Sequence, residues 1–145
     1  MFMSQYEHTI DAKGRLTIPV RYREFLSDGA FITQGFDHNL MVLTTSDFDN
    51  ITRKTDEMSL TNPAARKLKR QIFGFAEQVN LDKMGRILIP SFLRQSADLI
   101  DSAFVVGMSA FFEIWSPERW QQQCLDLQNP EADEQRYAAF DLPLR

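Results

Sequence analysis

The fold is decided by a ten-residue motif that occurs twice, as IDAKGRLTIP at residues 10–19 and as LDKMGRILIP at residues 81–90. The aspartate, glycine, arginine and proline are identical in the two copies, and the apolar positions match in character. Such self-similarity is typical of a chain built from two copies of one supersecondary unit. Because a unit of about 45 residues is too small to bury an adequate core alone, we expect the two units to share one core.

The similarity between the two halves continues, more weakly, beyond the motif. Ala30–Ile32 is similar to Ala103–Val105, and Leu40–Thr44 is similar to Phe112–Ser116. The spacing drifts by one or two residues, as short loop insertions would cause. We therefore divide the chain into a first repeat at 5–48, a helical connector at 49–75, a second repeat at 76–120, and a C-terminal helix with an acidic tail at 121–145.

Each repeat shows the same order of predicted elements. A strand runs up to Asp11 or Asp82, a tight turn follows, and a second short strand comes next. A short amphipathic helix then begins after Pro19 or Pro90, and two further strands form a hairpin. This order predicts an α+β, β-rich fold. The predicted second strands are 15–18 and 86–89, the helices are 20–26 and 91–99, and the hairpin strands are 31–34, 40–43, 104–106 and 111–115.

Further helix starts are marked by small polar residues, two of them followed by proline. Asn62-Pro63 predicts the second helix of the connector, and Ser116-Pro117 predicts the C-terminal helix. Thr45 or Ser46 is the predicted cap of the first connector helix.

Both copies of the motif contain a four-residue turn with aspartate in the first position and glycine in the fourth. Type I turns favour these residues at these positions. The aspartate side chain accepts backbone N–H groups two residues on, and glycine adopts a positive φ without strain. We therefore assign Asp11, Gly14, Asp82 and Gly85 a structural role in the turns.

Cationic side chains stand beside both turns, where turn chemistry does not require them. They are Lys13 and Arg15 in the first copy and Lys83 and Arg86 in the second. One interpretation is a solvated arginine paired with the nearby aspartate, which stabilises little. The other is that each tip presents fixed cations to phosphates and guanine edges. Because the arrangement occurs on two matched turns, we favour DNA binding by these four residues.

The overall charge, by contrast, does not favour nucleic acid as a partner. The net charge is −4 and the isoelectric point is about 5.1. The acidity is concentrated in the tail, where residues 126–145 contain five acidic residues and two arginines. A basic docking face elsewhere is therefore compatible with an acidic chain. For the basic run at 66–70, a solvated helix face is favoured over a DNA contact.

Composition disfavours several other classes of protein. No apolar run reaches the roughly 20 residues that a membrane span requires, and the first residues do not have the pattern of a signal peptide. Cys124 is the single cysteine, so no disulfide within the chain is expected, as is typical of a reducing cytoplasm. His8 and His38 are isolated in the sequence, so neither a metal nor a cofactor is expected.

These motifs give the sequence a resemblance to the MraZ family, whose members consist of two tandem SpoVT/AbrB-type units. The resemblance extends from residue 1 to residue 115 and is carried by the paired D-x-x-x-R turns, by KGRLTIP at 13–19 and by DKMGRILIP at 82–90. It implies a swapped-hairpin, double-split β-barrel in which the two repeats form a pseudo-dimer, with short helices and a helical connector. It also implies DNA contacts by Asp11 with Arg15 and by Asp82 with Arg86.

The resemblance further implies what the protein does. It implies a sequence-specific transcriptional regulator, not an enzyme, that binds direct repeats in double-stranded promoter DNA. The implied targets are the division and cell-wall gene cluster and the protein's own gene. Several chains would form a ring in the cytoplasm, associated with the nucleoid, without a membrane, small-molecule substrate or cofactor. The chain departs from the family at Met3-Ser4, where Arg-Gly is common, and the second turn has Met84 where the first has Lys13. The two turns are therefore expected to contribute unequally.

Two alternatives from other functional classes stay open. One is a hydrolase that uses Asp11 and Asp82 as paired carboxylates, which requires both groups within several ångströms of one reacting centre. The other is an oligomeric protein-interaction or assembly module without DNA binding.

Three further arginines flank the turns on the short helices. Arg21, Arg23 and Arg94 are candidate phosphate contacts, and pairing with Glu24 or Asp98 is the equally weighted alternative.

Overall fold

The structure, a computed structural model, describes residues 1–129 and 136–143, so part of the predicted acidic tail lies outside the described residues. A 3₁₀ turn at Glu24–Leu26 continues the first helix. The described strands are β1 Gln5–Thr9, β2 Arg15–Thr17, β3 Ala30–Gln34, β4 Leu40–Thr44, β5 Glu77–Val79, β6 Arg86–Leu88, β7 Ser102–Gly107 and β8 Phe111–Trp115. The described α-helices are α1 Val20–Arg23, α2 Thr45–Asp56, α3 Pro63–Phe73, α4 Ser91–Ser96 and α5 Pro117–Leu127.

Six strands form one antiparallel sheet in the order β1-β7-β8-β4-β3-β5. The pairs β3–β4 and β7–β8 are the hairpins that the sequence predicts. The outer strands are exchanged between the repeats, because β1 pairs with β7 and β5 pairs with β3. Within residues 1–129 and 136–143, β1 and β5 do not pair with each other. The α+β class is therefore confirmed, whereas the sheet is open and the closed barrel is not confirmed.

The strands that follow the two turns form a separate two-stranded ribbon, β2 with β6. Leu16 lies opposite Ile87, the equivalent residue of the other repeat, so a pseudo-twofold axis passes through the ribbon. Side chains alternate between the two faces of a strand. Leu16 and Ile87 point inward and are 0% and 1% exposed. The outer face carries Arg15, Thr17, Arg86 and Leu88.

Both repeats contribute to one core, as their small size predicts. The fully buried side chains of the two halves belong to a single cluster, and each such side chain contributes roughly 1.5–3 kcal/mol on burial. The exchanged strands and the shared core make the repeats one packing unit. The cluster includes Leu16, Ile18, Tyr22 and Ile32 from the first repeat and Ile87, Ile89, Leu93 and Phe112 from the second.

The helix starts agree with the sequence, with one correction. Asn62 and Ser116 each accept a backbone N–H of the following first turn, as predicted. The cap of α2 is Thr44, the last residue of β4, rather than Thr45 or Ser46. The Thr44 hydroxyl accepts the N–H of Asp47, three residues on, at 3.2 Å. The helices after the two turns are shorter than predicted: α1 passes into the 3₁₀ turn, and α4 ends at its sixth residue.

The longer helices pack on the sheet through aromatic and aliphatic side chains. Phe48 of α2 and Ile72 of α3 lie in a second cluster against β4. Trp120 of α5 packs with Trp115 of β8 in a third cluster, and both tryptophans belong to the second repeat. In the described part of the chain, every helix is too short or too polar to span a bilayer.

Candidate nucleic-acid interface

The first D-x-x-x-R turn is closed by its aspartate. The N–H of Gly14 donates to the main-chain oxygen of Asp11 at 2.9 Å, and Gly14 has a φ of +91°. The Oδ1 atom of Asp11 also accepts the N–H groups of Lys13 and Arg15, at 3.0 and 2.9 Å. One carboxylate oxygen thus satisfies two backbone donors of the turn.

The second turn repeats this arrangement atom by atom. The N–H of Gly85, whose φ is +75°, donates to the main-chain oxygen of Asp82 at 3.0 Å. The Oδ1 atom of Asp82 accepts the N–H groups of Met84 and Arg86, both at 2.9 Å. The sequence therefore predicts the local structure of both turns, because it follows from the residue types at fixed spacing.

The other carboxylate oxygen of each aspartate holds the arginine of the same turn. Arg15 Nε lies 2.6 Å from Asp11 Oδ2, and Arg86 Nε lies 2.9 Å from Asp82 Oδ2. The arginines therefore pair with the nearby aspartates, as the first interpretation of the sequence predicts, and the aspartate that closes each turn also orients a guanidinium group. The pair engages only Nε of Arg15, whose two terminal nitrogens have no hydrogen-bond partner among residues 1–129 and 136–143.

The two arginines lie on the same side of the ribbon. Pairing of β2 with β6 places both on the outer face, where their side chains are 34% and 25% exposed. Arg86 Nη1 also lies 3.5 Å from Asp11 Oδ2, so an ion pair links the two turns directly. The structure thus brings together two guanidinium groups that are 71 residues apart in the chain.

Both aspartates are held in the ionised form. The N–H of Arg15 is the largest cause that lowers the pKa of Asp11 to about 2, and the Arg15 side chain adds to it. The N–H of Arg86 is likewise the main cause that lowers the pKa of Asp82. Because both oxygens of each carboxylate already accept hydrogen bonds, and the lowered pKa makes each carboxylate a weak base, neither is placed to act as a general base.

The tips of the two turns differ in their exposed side chains. Lys13 and Lys83 are both exposed, but they occupy neighbouring rather than equivalent positions. The residue equivalent to Lys13 is Met84, which is 68% exposed, and the residue equivalent to Lys83 is Ala12. Each tip therefore presents one lysine, displaced by one residue between the repeats.

Arg23 and Arg94 support the turns of the opposite repeats. Their Nε atoms donate to main-chain oxygens at the ends of the ribbon strands, at 2.9 and 3.0 Å. The guanidinium group of Arg94 lies so close to Gly14 that a Cβ there would be 2.6 Å from Arg94 Cζ. Arg23 lies against Gly85 in the same way. Glycine is thus required at both positions for space as well as for its positive φ.

Neither of the alternative pairings of these arginines occurs in the described residues. Asp98 pairs instead with Arg119, at 2.7 Å, and Glu24 forms no ion pair within residues 1–129 and 136–143. Burial, together with the charge of Arg23, lowers the pKa of His8. The sequence did not predict that Arg23 and Arg94 each support the turn of the opposite repeat. The spacing of 71 residues between the two arginines nevertheless matches that of the motif.

Other polar features stand apart from the ribbon. The basic run lies on α3, where Lys67 and Arg70 are exposed. Arg21 is exposed on α1. Within residues 1–129 and 136–143, there is no group of three or more side chains of the types that bind metals.

Fold and site together define a class: a tandem-repeat α+β protein whose repeats exchange strands and present two aspartate-held arginines on one ribbon. The family model of the MraZ protein, described as antitoxin-like, matches residues 1–71 and 72–141, one segment for each repeat. The chain therefore belongs to the MraZ family.

Curated relatives carry the same family name. A protein of Roseiflexus castenholzii named "Transcriptional regulator MraZ" is 46% identical over 121 residues, which cover 83% of this chain and 85% of the relative. Proteins of the same name from Herpetosiphon aurantiacus and Carboxydothermus hydrogenoformans are 45% and 41% identical, and the matches cover 83% and 86% of this chain and 85% and 87% of the relatives. The family is thus named for regulation of transcription and not for an enzymatic activity.

Proposed function

We propose that this protein is a DNA-binding transcriptional regulator and that the outer face of the β2–β6 ribbon carries the contact. The observation that supports this most strongly is the pair of guanidinium groups on one exposed face, each held by its Nε on an aspartate. A side chain oriented in this way loses less conformational freedom when its remaining nitrogens bind a partner. The regulator names of the curated relatives support the same function.

The chemistry of the ribbon suits duplex DNA. A two-stranded ribbon fits the major groove, and arginine binds the O6 and N7 atoms of guanine with two hydrogen bonds. We assign Arg15 and Arg86 to base edges and the exposed Lys13 and Lys83 to phosphates. The crossed Arg23 and Arg94, and the exposed Arg21, are proposed phosphate contacts beside the ribbon.

Repetition of the interface would compensate for the few cations of one chain. Binding by two to four charges is weak and salt-sensitive. A ring of several chains on direct repeats raises the effective concentration at each later contact, so an acidic protein can still bind through one face. We propose such a ring. We also propose that the exchanged strands of the two repeats belong to a swapped-hairpin barrel in each chain, which forms one pseudo-dimer.

Through the family resemblance, we propose the division and cell-wall gene cluster and the protein's own gene as targets. We propose the cytoplasm, in association with the nucleoid, as the location.

A mobility-shift titration of promoter fragments at two salt concentrations tests the DNA contact. Arg15→Ala and Arg86→Ala are each expected to weaken binding by about tenfold or more, the effect of losing a two-bond base contact. Arg70→Ala on α3 is the matched control and is expected to bind as the wild type does. Unchanged affinity of the double Arg15→Ala/Arg86→Ala variant, with its fold intact, would rule out the ribbon as the contact.

The phosphate contacts predict a different signature from the base contacts. Lys13→Ala is expected to weaken binding to all sequences alike and to reduce the slope of log K against log salt by about one. Measurement of the slope for wild type, Lys13→Ala and the exposed control Lys67→Ala checks this. A Lys13→Ala variant with the wild-type slope would contradict the assignment.

A further inference from the structure

The outer face of the ribbon is not symmetric, although its inner face is. Around the pseudo-twofold axis, Arg15 lies opposite Leu88, and the equivalent Arg86 lies opposite Thr17. The inward residues keep their apolar character in both repeats. The two halves therefore present the same arginine with different neighbours, leucine in one half and threonine in the other.

Leu88 is exposed on its short strand, where it lies beside charged side chains. Its exposed fraction is 56%, whereas its inward neighbours Ile87 and Ile89 are 1% and 0% exposed. The side chain of Met84, on the turn before the same strand, is also exposed, at 68%. The second repeat thus presents two apolar groups at the positions where the first repeat presents a lysine and a threonine.

We infer that Leu88 is a specificity-determining residue that contacts the C5-methyl group of thymine next to the base bound by Arg15. The inference rests on the proposed DNA contact. In the major groove, thymine is the base that presents a methyl group, and apolar side chains recognise it. A solvent-exposed leucine beside a guanine-binding arginine would add to the affinity through that contact. Burial of one methyl-sized apolar group favours binding about fourfold.

Unequal neighbours also give the ribbon a direction on DNA. With identical halves, the pseudo-twofold axis of the ribbon would match a palindromic site. With leucine in one half and threonine in the other, the Leu88 half selects thymine, and the Thr17 half, which carries a hydroxyl and a methyl group, accepts several bases. The preferred site of one chain is therefore asymmetric, which orients the chain on the duplex.

Replacement of thymine by uracil in the bound site tests the inference, because it removes only the C5-methyl group. Affinities for matched thymine and uracil duplexes of a bound promoter fragment would be measured for wild type, Leu88→Ala, Leu88→Thr and Leu125→Ala. Leu125 on α5 is the matched control, since this leucine is 59% exposed and its helix packs against β7. Leu88→Thr gives the second repeat the residue that the first repeat has at the equivalent position, Thr17, and preserves a side chain that favours β-strands.

The wild type and Leu125→Ala are expected to prefer the thymine duplex by about fourfold or more for each methyl group contacted. Leu88→Ala and Leu88→Thr are expected to bind DNA with a smaller preference for thymine, because their shorter side chains bury less of the methyl group. An equal preference in wild type and Leu88→Ala, or none in the wild type, would overturn the role of Leu88 while the DNA contact stands. Failure of the wild type to bind any duplex would overturn the proposed function, and this inference with it.

Discussion

The aspartates of the two turns act on both the backbone and a side chain. Asp11 accepts two N–H groups through one oxygen and the Arg15 guanidinium through the other. Asp82 has the equivalent set of bonds. An aspartate at the first turn position therefore sets the direction of an arginine four residues later, which neither glutamate nor asparagine would reproduce. The D-x-x-x-R spacing is explained by this double contact.

The low pKa of Asp11 predicts a specific loss of stability in acid. Its pKa is about 2 in the folded chain against an ordinary value of 3.8, so the ionised form favours folding. This contribution is fully present above the ordinary value and is lost as the pH falls toward 2. Urea unfolding between about pH 5 and pH 2 is expected to show a steeper loss for wild type than for Asp11→Asn. Parallel curves for the two proteins would contradict the prediction.

The contact of Arg23 with Gly85 predicts energetic coupling between the two residues. Gly85→Ala places a Cβ at a φ of +75° and against the guanidinium group, and is expected to cost at least about 1–2 kcal/mol. In an Arg23→Ala background the steric part disappears and the cost falls, which a double-mutant cycle by urea unfolding measures. Gly29→Ala is the control, because Gly29 also has a positive φ but lies near Asn80 rather than an arginine. Additive costs for Gly85→Ala and Arg23→Ala would show that the contact is unimportant.

At the scale of the element, the β2–β6 ribbon separates stability from recognition by the alternation of its side chains. Its inward residues belong to the shared core, and its outward residues form the proposed interface. Of two adjacent positions on one strand, mutation of the inward one is therefore expected to lower stability, and mutation of the outward one is expected to affect DNA binding. This division depends on a two-residue period, and a shift of the pairing by one residue would exchange the two faces.

Substitutions at neighbouring ribbon positions test that division. Ile87→Ala is expected to destabilise the protein by about 2–5 kcal/mol, because it leaves a cavity in the core. Leu88→Ala is expected to change stability by about 0.5 kcal/mol or less, because the side chain is exposed. Chemical unfolding of both variants gives the two values. Similar losses in the free energy of unfolding for the two variants would mean that the Leu88 side chain is buried in the folded protein.

At the scale of the whole molecule, exchanged strands and a shared core couple the two repeats. Each outer strand of the large sheet pairs with a strand of the other repeat, and the ribbon takes one strand from each. Local damage in one repeat is therefore transmitted to the other. The two repeats are expected to unfold together in a single transition.

The tryptophans offer a direct measurement of this coupling, because Trp115 and Trp120 both belong to the second repeat. Leu16→Ala in the first repeat is expected to shift the tryptophan fluorescence transition as far as it shifts the far-UV circular dichroism transition. Arg53→Ala, an exposed substitution on α2, is expected to shift neither. A fluorescence midpoint that stays in place while the dichroism midpoint moves would show independent repeats.

The sequence by itself determined the features that depend on neighbouring residues. The geometry of both turns and the caps at Asn62 and Ser116 follow from residue types at fixed short spacing. The two hairpins follow from alternating strands separated by short loops. The repeat itself was visible because the same local requirements occur twice.

Only the tertiary structure decided which strands pair across the chain and what the arginines contact. The exchange of β1 and β5, the open sheet and the pairing of Leu16 with Ile87 depend on contacts between distant segments, and such contacts leave no periodic pattern in sequence. For the same reason, the crossing of Arg23 to Gly85 and the asymmetric neighbours of Arg15 and Arg86 appear only after folding. A local pattern determines the conformation of a segment, whereas its partners are selected by burial and geometry throughout the molecule.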